Sequence, residues 1–170
     1  GYRALWDRLR ALPGVEAAGG VTSLPMSGFF AWGPITAEGR QPVAGEKFLN
    51  ADMRSVGGDY FSAMRIPLVR GRVFDDRDWP VPGAAPPARV VVIDARMARE
   101  LWPDQDPIGK RLKYGDAAST SPWETVVGVV GEVKQYGPRA YARIALYRPH
   151  GQSPSRALFV TVRGRGDAET

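Results

Sequence analysis

Apolar positions in the first twelve residues recur at helical spacing. Tyr2, Leu5, Trp6, Leu9 and Leu12 share one face, and Arg3, Asp7, Arg8 and Arg10 take the other. The spacing predicts an amphipathic helix that Pro13-Gly14 stops. Val15 to Leu24 reads as a loop running into a strand, weakened at its start by Gly19-Gly20. Pro25 to Gly45 has no clear period and mixes Gly and Pro with Phe29, Phe30 and Trp32. It reads as a mobile loop or extended hairpin, its aromatics forming either a contact surface or a small local core.

Lys47 to Val56 predicts a strand with Phe48 and Met53 as its larger apolar side chains. Asp59 is placed to cap a short helix carrying Tyr60, Phe61 and Met64. Pro67 and Gly71 bracket an extended Leu68-Val69-Arg70. Asp75, Asp76 and Asp78 gather beside Trp79, but lack the glycine and distal glutamate of a calcium loop, so helix capping or solvated turn acids are the expected roles. Pro80 to Pro87 cannot continue a helix or central strand and reads as an exposed loop.

The β-branched run Val90 to Ile93 predicts a buried strand. Asp94 then caps a helix whose apolar face is Met97, Ala98, Leu101 and Trp102, ended by Pro103. In Asp106-Pro107-Ile108-Gly109-Lys110-Arg111-Leu112, Asp, Pro and Gly occupy the first, second and fourth places of a type I turn, a corner on which later strands are hung. Leu112 and Tyr114 alternate with Arg111 and Lys113 as in a half-exposed strand. Asp116 to Pro122 is a polar loop. Trp123 to Val133 is a strand, in which Gly128 and Gly131 suggest a bulge or a close backbone approach. Gln135 to Arg143 reads as loop, and Ile144 to Tyr147 and Ala157 to Val162 as the last strands. Strands that follow one another without long helices between them predict an α+β fold with mixed or largely antiparallel sheet, arranged in two lobes.

Composition narrows the function classes. With 170 residues, 44% of them hydrophobic, the chain is long enough for a real core. No cysteine is present, which removes disulfides and thiolate zinc sites. A net charge of +5 raises the question of an anionic partner. Lys47, Lys110, Lys113 and Lys134 are the only lysines, however, and the arginines are interspersed with acids, which argues against a nucleic-acid surface. No apolar run reaches the ~20 residues that cross a bilayer. The chain opens at Gly1 inside a helical pattern and reads as part of something longer.

Reactive chemistry is sparse. His150, the sole histidine, lies between Pro149 and Gly151 and is expected at the surface of a turn. Ser23, Ser27 and Ser153 sit outside any nucleophile elbow. Gly128-Val-Val-Gly131 is too short for a dinucleotide or phosphate fingerprint. The residues therefore point to no catalytic, cofactor-binding or metal site, and not to an enzyme.

Five segments in order carry a resemblance. They are Gly58-Asp59-Tyr60-Phe61; Met64 to Phe74, including Gly71 and Arg72, followed by Asp78; Val91-Val92-Ile93-Asp94 through Leu101-Trp102-Pro103; Asp106-Pro107-Ile108-Gly109-Lys110-Arg111-Leu112; and Val126-Val127-Gly128-Val129-Val130-Gly131. Together they resemble the MacB-like periplasmic core domain of FtsX/MacB-type ABC transporter permeases, in particular the duplicated bacterial permeases. The resemblance implies a domain outside the inner membrane, between the first two transmembrane helices. It implies a porter-like α/β lobe from 1–56 and 144–170, incomplete at its C-terminal end, and an inserted, strand-rich, sabre-like lobe from 60–133. The implied role is non-catalytic: ATP-driven movement of membrane helices is passed to substrate or partner proteins in export. The implied partners are an ABC ATPase subunit, reached through the full-length permease, a second permease copy and a periplasmic adaptor, with no cofactor. The 2–12 helix, with Tyr2, Leu5, Trp6, Leu9 and Leu12, is then the expected coupling element.

Two other classes are expressed by the same residues. A periplasmic ligand- or polysaccharide-binding module would use Trp32, Trp79 and Trp123 beside arginines as exposed stacking platforms. An anion or RNA binder would lose affinity steeply with salt.

Overall fold

The structure, a computed structural model, describes residues 1–27, 31–41, 43–46, 48–133 and 143–166. Among these residues the elements are α1 (Tyr2–Arg10), β1 (Val15–Val21), β2 (Trp32–Ala37), β3 (Leu49–Gly58), α2 (Tyr60–Ala63), β4 (Leu68–Gly71), β5 (Val90–Asp94), α3 (Ala95–Leu101), β6 (Arg111–Tyr114), β7 (Glu124–Val130), β8 (Ala145–Pro149) and β9 (Phe159–Gly164). The architecture is mixed α/β, strand-rich with few helices, as the residue patterns lead one to expect.

The strand pairings close on themselves. β2 lies antiparallel to β3 on one edge and to β6 on the other; β6 continues to β7, β7 to β5, β5 to β8, and β8 returns in parallel to β3. Six strands thus form a ring without a free edge. Period-two alternation sorts their side chains between two cores. Ile35, Ala37, Ala51, Val91, Ile93, Leu112, Val126, Val129 and Leu146 join one buried cluster, onto which α3 packs Met97, Leu101 and Trp102. Val56, Val92, Val130, Ala145 and Tyr147 face the other way and meet Val21, Tyr60, Phe61 and Ile66 in a second cluster. On the row shared with Leu146 and Val126, Arg148 makes a two-pronged bond to Glu124, at 2.6 and 2.7 Å.

Two long strands leave the ring by changing partner. The first half of β3 pairs β2, and its end pairs β1, which in turn carries β9. β7 begins beside β6 and ends beside β4. Gly128 sits at the second changeover, where a Cβ would lie 1.9 Å from the Arg72 carbonyl oxygen, so only glycine lets β4 approach. That satisfies the expectation of a bulge or close approach.

Several local expectations need correction. Of the two readings of the Pro25–Gly45 stretch, the mobile loop gives way to the extended hairpin, because the stretch contains β2, which pairs antiparallel with β3 and closes the ring; Phe29 and Phe30 lie outside the described residues, as does most of the 135–143 stretch. The corner turn is shifted by one residue. Lys110 N–H donates to the Pro107 carbonyl, so Gly109, at φ +86°, occupies the third place, which a type II turn reserves for glycine. Asp106 stands outside the turn and accepts from Ile108 N–H at 3.0 Å. Lys113 is buried rather than half-exposed, its ammonium donating to the carbonyls of Ala117 and Ser119. Leu12 lies beyond the end of α1 and is 53% exposed.

Candidate functional site

The residues singled out by sequence assemble at two places. The first is the corner. Gly109 N–H donates to the Val126 carbonyl, and Arg72 N–H to that of Val127, so the 106–110 turn and the residues after β4 both lean on β7. Ile108 fills the space that a Gly71 side chain would need, since a Cβ there would come 2.7 Å from Ile108 Cδ1. Arg70 and Asp106 add a solvent-exposed ion pair at 3.2 Å. Arg72 turns back to Asp78, with bonds of 2.7 and 2.9 Å to a carboxylate that is itself buried. These contacts position backbone.

The acidic trio supports this corner as a capping device. Asp75 accepts from Arg77 N–H, while Asp78 accepts from Asp75 N–H, and a short 3-10 turn follows at Asp76–Asp78. Hydrogen bonds from the Arg77 guanidinium, more than any other influence, hold the Asp75 carboxyl down at about 2. Among the described residues no group of three or more metal-ligating side chains is gathered.

The second place is α1. Gly19 and Gly20 of β1 pair in register with Gly58 and Gly57 of β3, leaving a patch without side chains. Trp6, 2% exposed, lies on it. A Cβ at Gly20 would come 2.7 Å from Trp6 Cη2, and one at Gly57 3.1 Å from its Nε1. Gly58 adopts φ +59° and is hemmed in by the Ala18 carbonyl, so a side chain there would be strained and crowded at once. Gly19-Gly20, expected only to weaken a strand, is the seat of the helix. Tyr2 stacks on Trp6 and meets His150 edge to face, with ring centroids 4.7 Å apart. His150 is not a surface residue: it is 5% exposed, and its Nε2 lies 3.0 Å from Ser155 N.

Polar contacts finish the docking. Asp59 precedes α2 but makes no side-chain cap; its carboxylate accepts instead from Arg10 Nε at 2.6 Å. Arg3 bonds Asp76 at 2.6 Å across the gap between α1 and the 3-10 turn. Between α1 and the Val73–Trp79 segment lies a groove of about 490 Å³, floored by Trp6, Phe61, Phe74 and Trp79 and rimmed by charged side chains. Sequence reasoning missed both ion pairs and the groove, because they join positions 49 to 73 residues apart. The doubled glycines opposite a helical tryptophan were the available signal.

The three tryptophans of the carbohydrate-binding alternative have different surroundings. Trp79 packs against Gly151, Trp123 lies beneath Arg111 and Lys113, and Trp32 faces Arg143 while remaining 55% exposed.

Comparison with known proteins places these features in a wider set. A family model described as the MacB-like periplasmic core domain matches residues 2–170. The macrolide export ATP-binding/permease protein MacB of Agrobacterium fabrum is 33% identical over 128 residues, covering 71% of this chain and 18% of that protein. MacB of Neisseria gonorrhoeae is 33% identical over 81 residues, 48% of this chain and 12% of that protein. The chain therefore spans under a fifth of these relatives. Among solved structures, the periplasmic region of MacB from Actinobacillus actinomycetemcomitans superposes with a TM-score of 0.62 at 17% identity, covering 99% of this chain and 66% of that one. The extracellular domain of the transporter YknZ from Gram-positive bacteria gives 0.55 at 19% identity, covering 94% and 71%. At these identities the likeness concerns the fold.

Proposed function

Because this chain belongs to the MacB-like periplasmic core domain family, we propose that it is the extracytoplasmic part of an ABC transporter permease and that it passes ATP-driven movement of membrane helices to exported substrates or partner proteins. The observation that carries this reading is the docking of α1. An α-helix rises ~1.5 Å per residue and is a stiff rod. Here the rod is keyed to the sheet by a tryptophan on a glycine patch and tied at both ends by Arg3–Asp76 and Arg10–Asp59. Displacement of α1 would move β1 and β3 with it, because Trp6 has no side chains beneath it to yield.

In this reading α1 receives the stroke through Tyr2, Leu5, Trp6 and Leu9, and the domain performs no chemistry of its own. Residues 1–56 with 144–170 form the porter-like part and 60–133 the sabre-like part. In the sheet, β9, β1, β3 and β8 are consecutive on one side and β5, β7 and β6 on the other, and the two groups are joined by the β5–β8 and β2–β6 pairings. The partners are an ATPase subunit, reached through the rest of the permease, a second permease copy and an adaptor.

The test is a flexible Gly-Ser insertion immediately before Tyr2 in the full-length permease. ATP hydrolysis is expected to continue while export fails. Export at the unmodified rate would refute the coupling role of α1.

A further inference from the structure

The groove beneath α1 holds chemistry that force transmission does not use. Its volume of about 490 Å³ falls in the range of pockets that enclose small organic molecules. Trp6 and Phe61 are sealed into its floor, but Phe74 and Trp79 are only half-buried and offer aromatic surface to whatever enters. The rim carries the guanidinium groups of Arg3 and Arg10 against the carboxylates of Asp7, Asp59, Asp75 and Asp76. Asp75 is already engaged by Arg77 and Arg72 from outside the groove. Three carboxylates then face two guanidinium groups, a local negative excess on a chain whose net charge is +5. Asp76 is the most accessible of them, 86% exposed and bonded to Arg3.

We propose that this groove binds a hydrophobic organic cation of small-molecule size. Two independent attractions select the sign of the charge. The rim carboxylates favour a cation by direct electrostatics, and the faces of Phe74 and Trp79 favour it through their ring quadrupoles. An anion of the same shape meets both as repulsions, and the two guanidinium groups it could recruit are shared among three carboxylates, which leaves the rim one negative charge in excess. The apolar body of the ligand covers the half-buried aromatic surface, and its charge settles beside Asp76. α1 forms one wall of the groove, so a stroke of that helix would reshape the site, but binding to the chain at rest is measured without any stroke.

Tetraphenylphosphonium and tetraphenylborate provide the test, being nearly identical in shape and opposite in charge. Binding to the 170-residue chain is read by equilibrium dialysis and by tryptophan fluorescence, since Trp6 and Trp79 both line the groove. The cation is expected to bind saturably and the borate at least about tenfold more weakly, a difference of ~1.4 kcal/mol. Asp76→Asn should weaken the cation about threefold and Arg3→Gln should tighten it by a similar factor. Both substitutions break the same exposed pair that ties α1, so any loosening of the groove acts alike on both, and only the change of charge moves them in opposite directions. Glu38→Gln, which breaks a surface pair with Arg111 elsewhere, should change nothing. Absence of saturable binding, equal affinity for the borate, or indifference to both rim substitutions would each overturn the proposal.

Discussion

Asp94→Asn should stabilise the protein, and do so only above mildly acidic pH. Asp94 is 3% exposed and closes β5 while capping α3, its carboxylate accepting from Met97 N–H at 2.7 Å. Burial raises its pKa from the ordinary 3.8 to about 7; Glu132 adds to the rise, while hydrogen bonds from the Met97 and Ala145 backbone and the charge of Arg96 oppose it. Between pH 4 and 7 the unfolded chain has therefore released this proton and the folded chain still holds it. Stability contributed by the neutral form is complete below pH 4 and is lost as pH rises through 7. A gap of about three, at ~1.4 kcal/mol per pH unit, makes the loss on the order of 4 kcal/mol by pH 8. Asparagine keeps an oxygen to cap α3 and carries no charge, so the variant should escape that loss. Urea unfolding of variant and wild type at the same pH isolates the effect. The comparison matters because Asp75, Glu38 and Glu46, all held below their usual range, act in the opposite sense on acidification. The expected result is near-equality at pH 4 and a gain for the variant that grows toward pH 8. A variant less stable than wild type at pH 8 would show that the charged cap outweighs desolvation, and the reasoning would fail.

Trp6→Ala should cost ~3–5 kcal/mol by urea unfolding, because no side chain lies beneath the indole to collapse into the space. Gly109→Ala and Gly128→Ala separate two reasons for glycine. Gly109 has positive φ with nothing within 4 Å, so alanine there should cost only ~1–2 kcal/mol. At Gly128 the new Cβ would strike the Arg72 carbonyl, and a loss of at least ~3 kcal/mol, with faster amide exchange in β4, is expected.

What was readable from the residues follows a physical rule. β5 and α3 were legible because a β-branched run, an aspartate cap and an apolar helical face all state the same local preference. β4, β7 and β8 were located for similar reasons, and of the two roles open to the acidic trio, capping or solvated turn acids, Asp75 and Asp78 take the first. β2 was legible only as an arm of a possible hairpin: Gly33-Pro34 disguises it, and its second edge is held by the distant β6. His150 looked exposed because its partners, Ser155 and the ring of Tyr2, are set by tertiary packing. The α1 site was half legible. Its apolar face was plain, but the glycine patch depends on the register of β1 against β3, which no local pattern states.

The closed ring of strands has a consequence for how the chain emerges during synthesis. β3 finds its parallel neighbour β8 only about ninety residues later, and β1 waits longer still for β9. Until then β3 offers unpaired backbone along a flank that β8 will later occupy, the situation in which nascent chains pair wrongly or with one another. Newly made protein should depend on a holding chaperone until β8 has been delivered, and cutting the chain anywhere between β3 and β8 should yield two insoluble pieces rather than two folded ones.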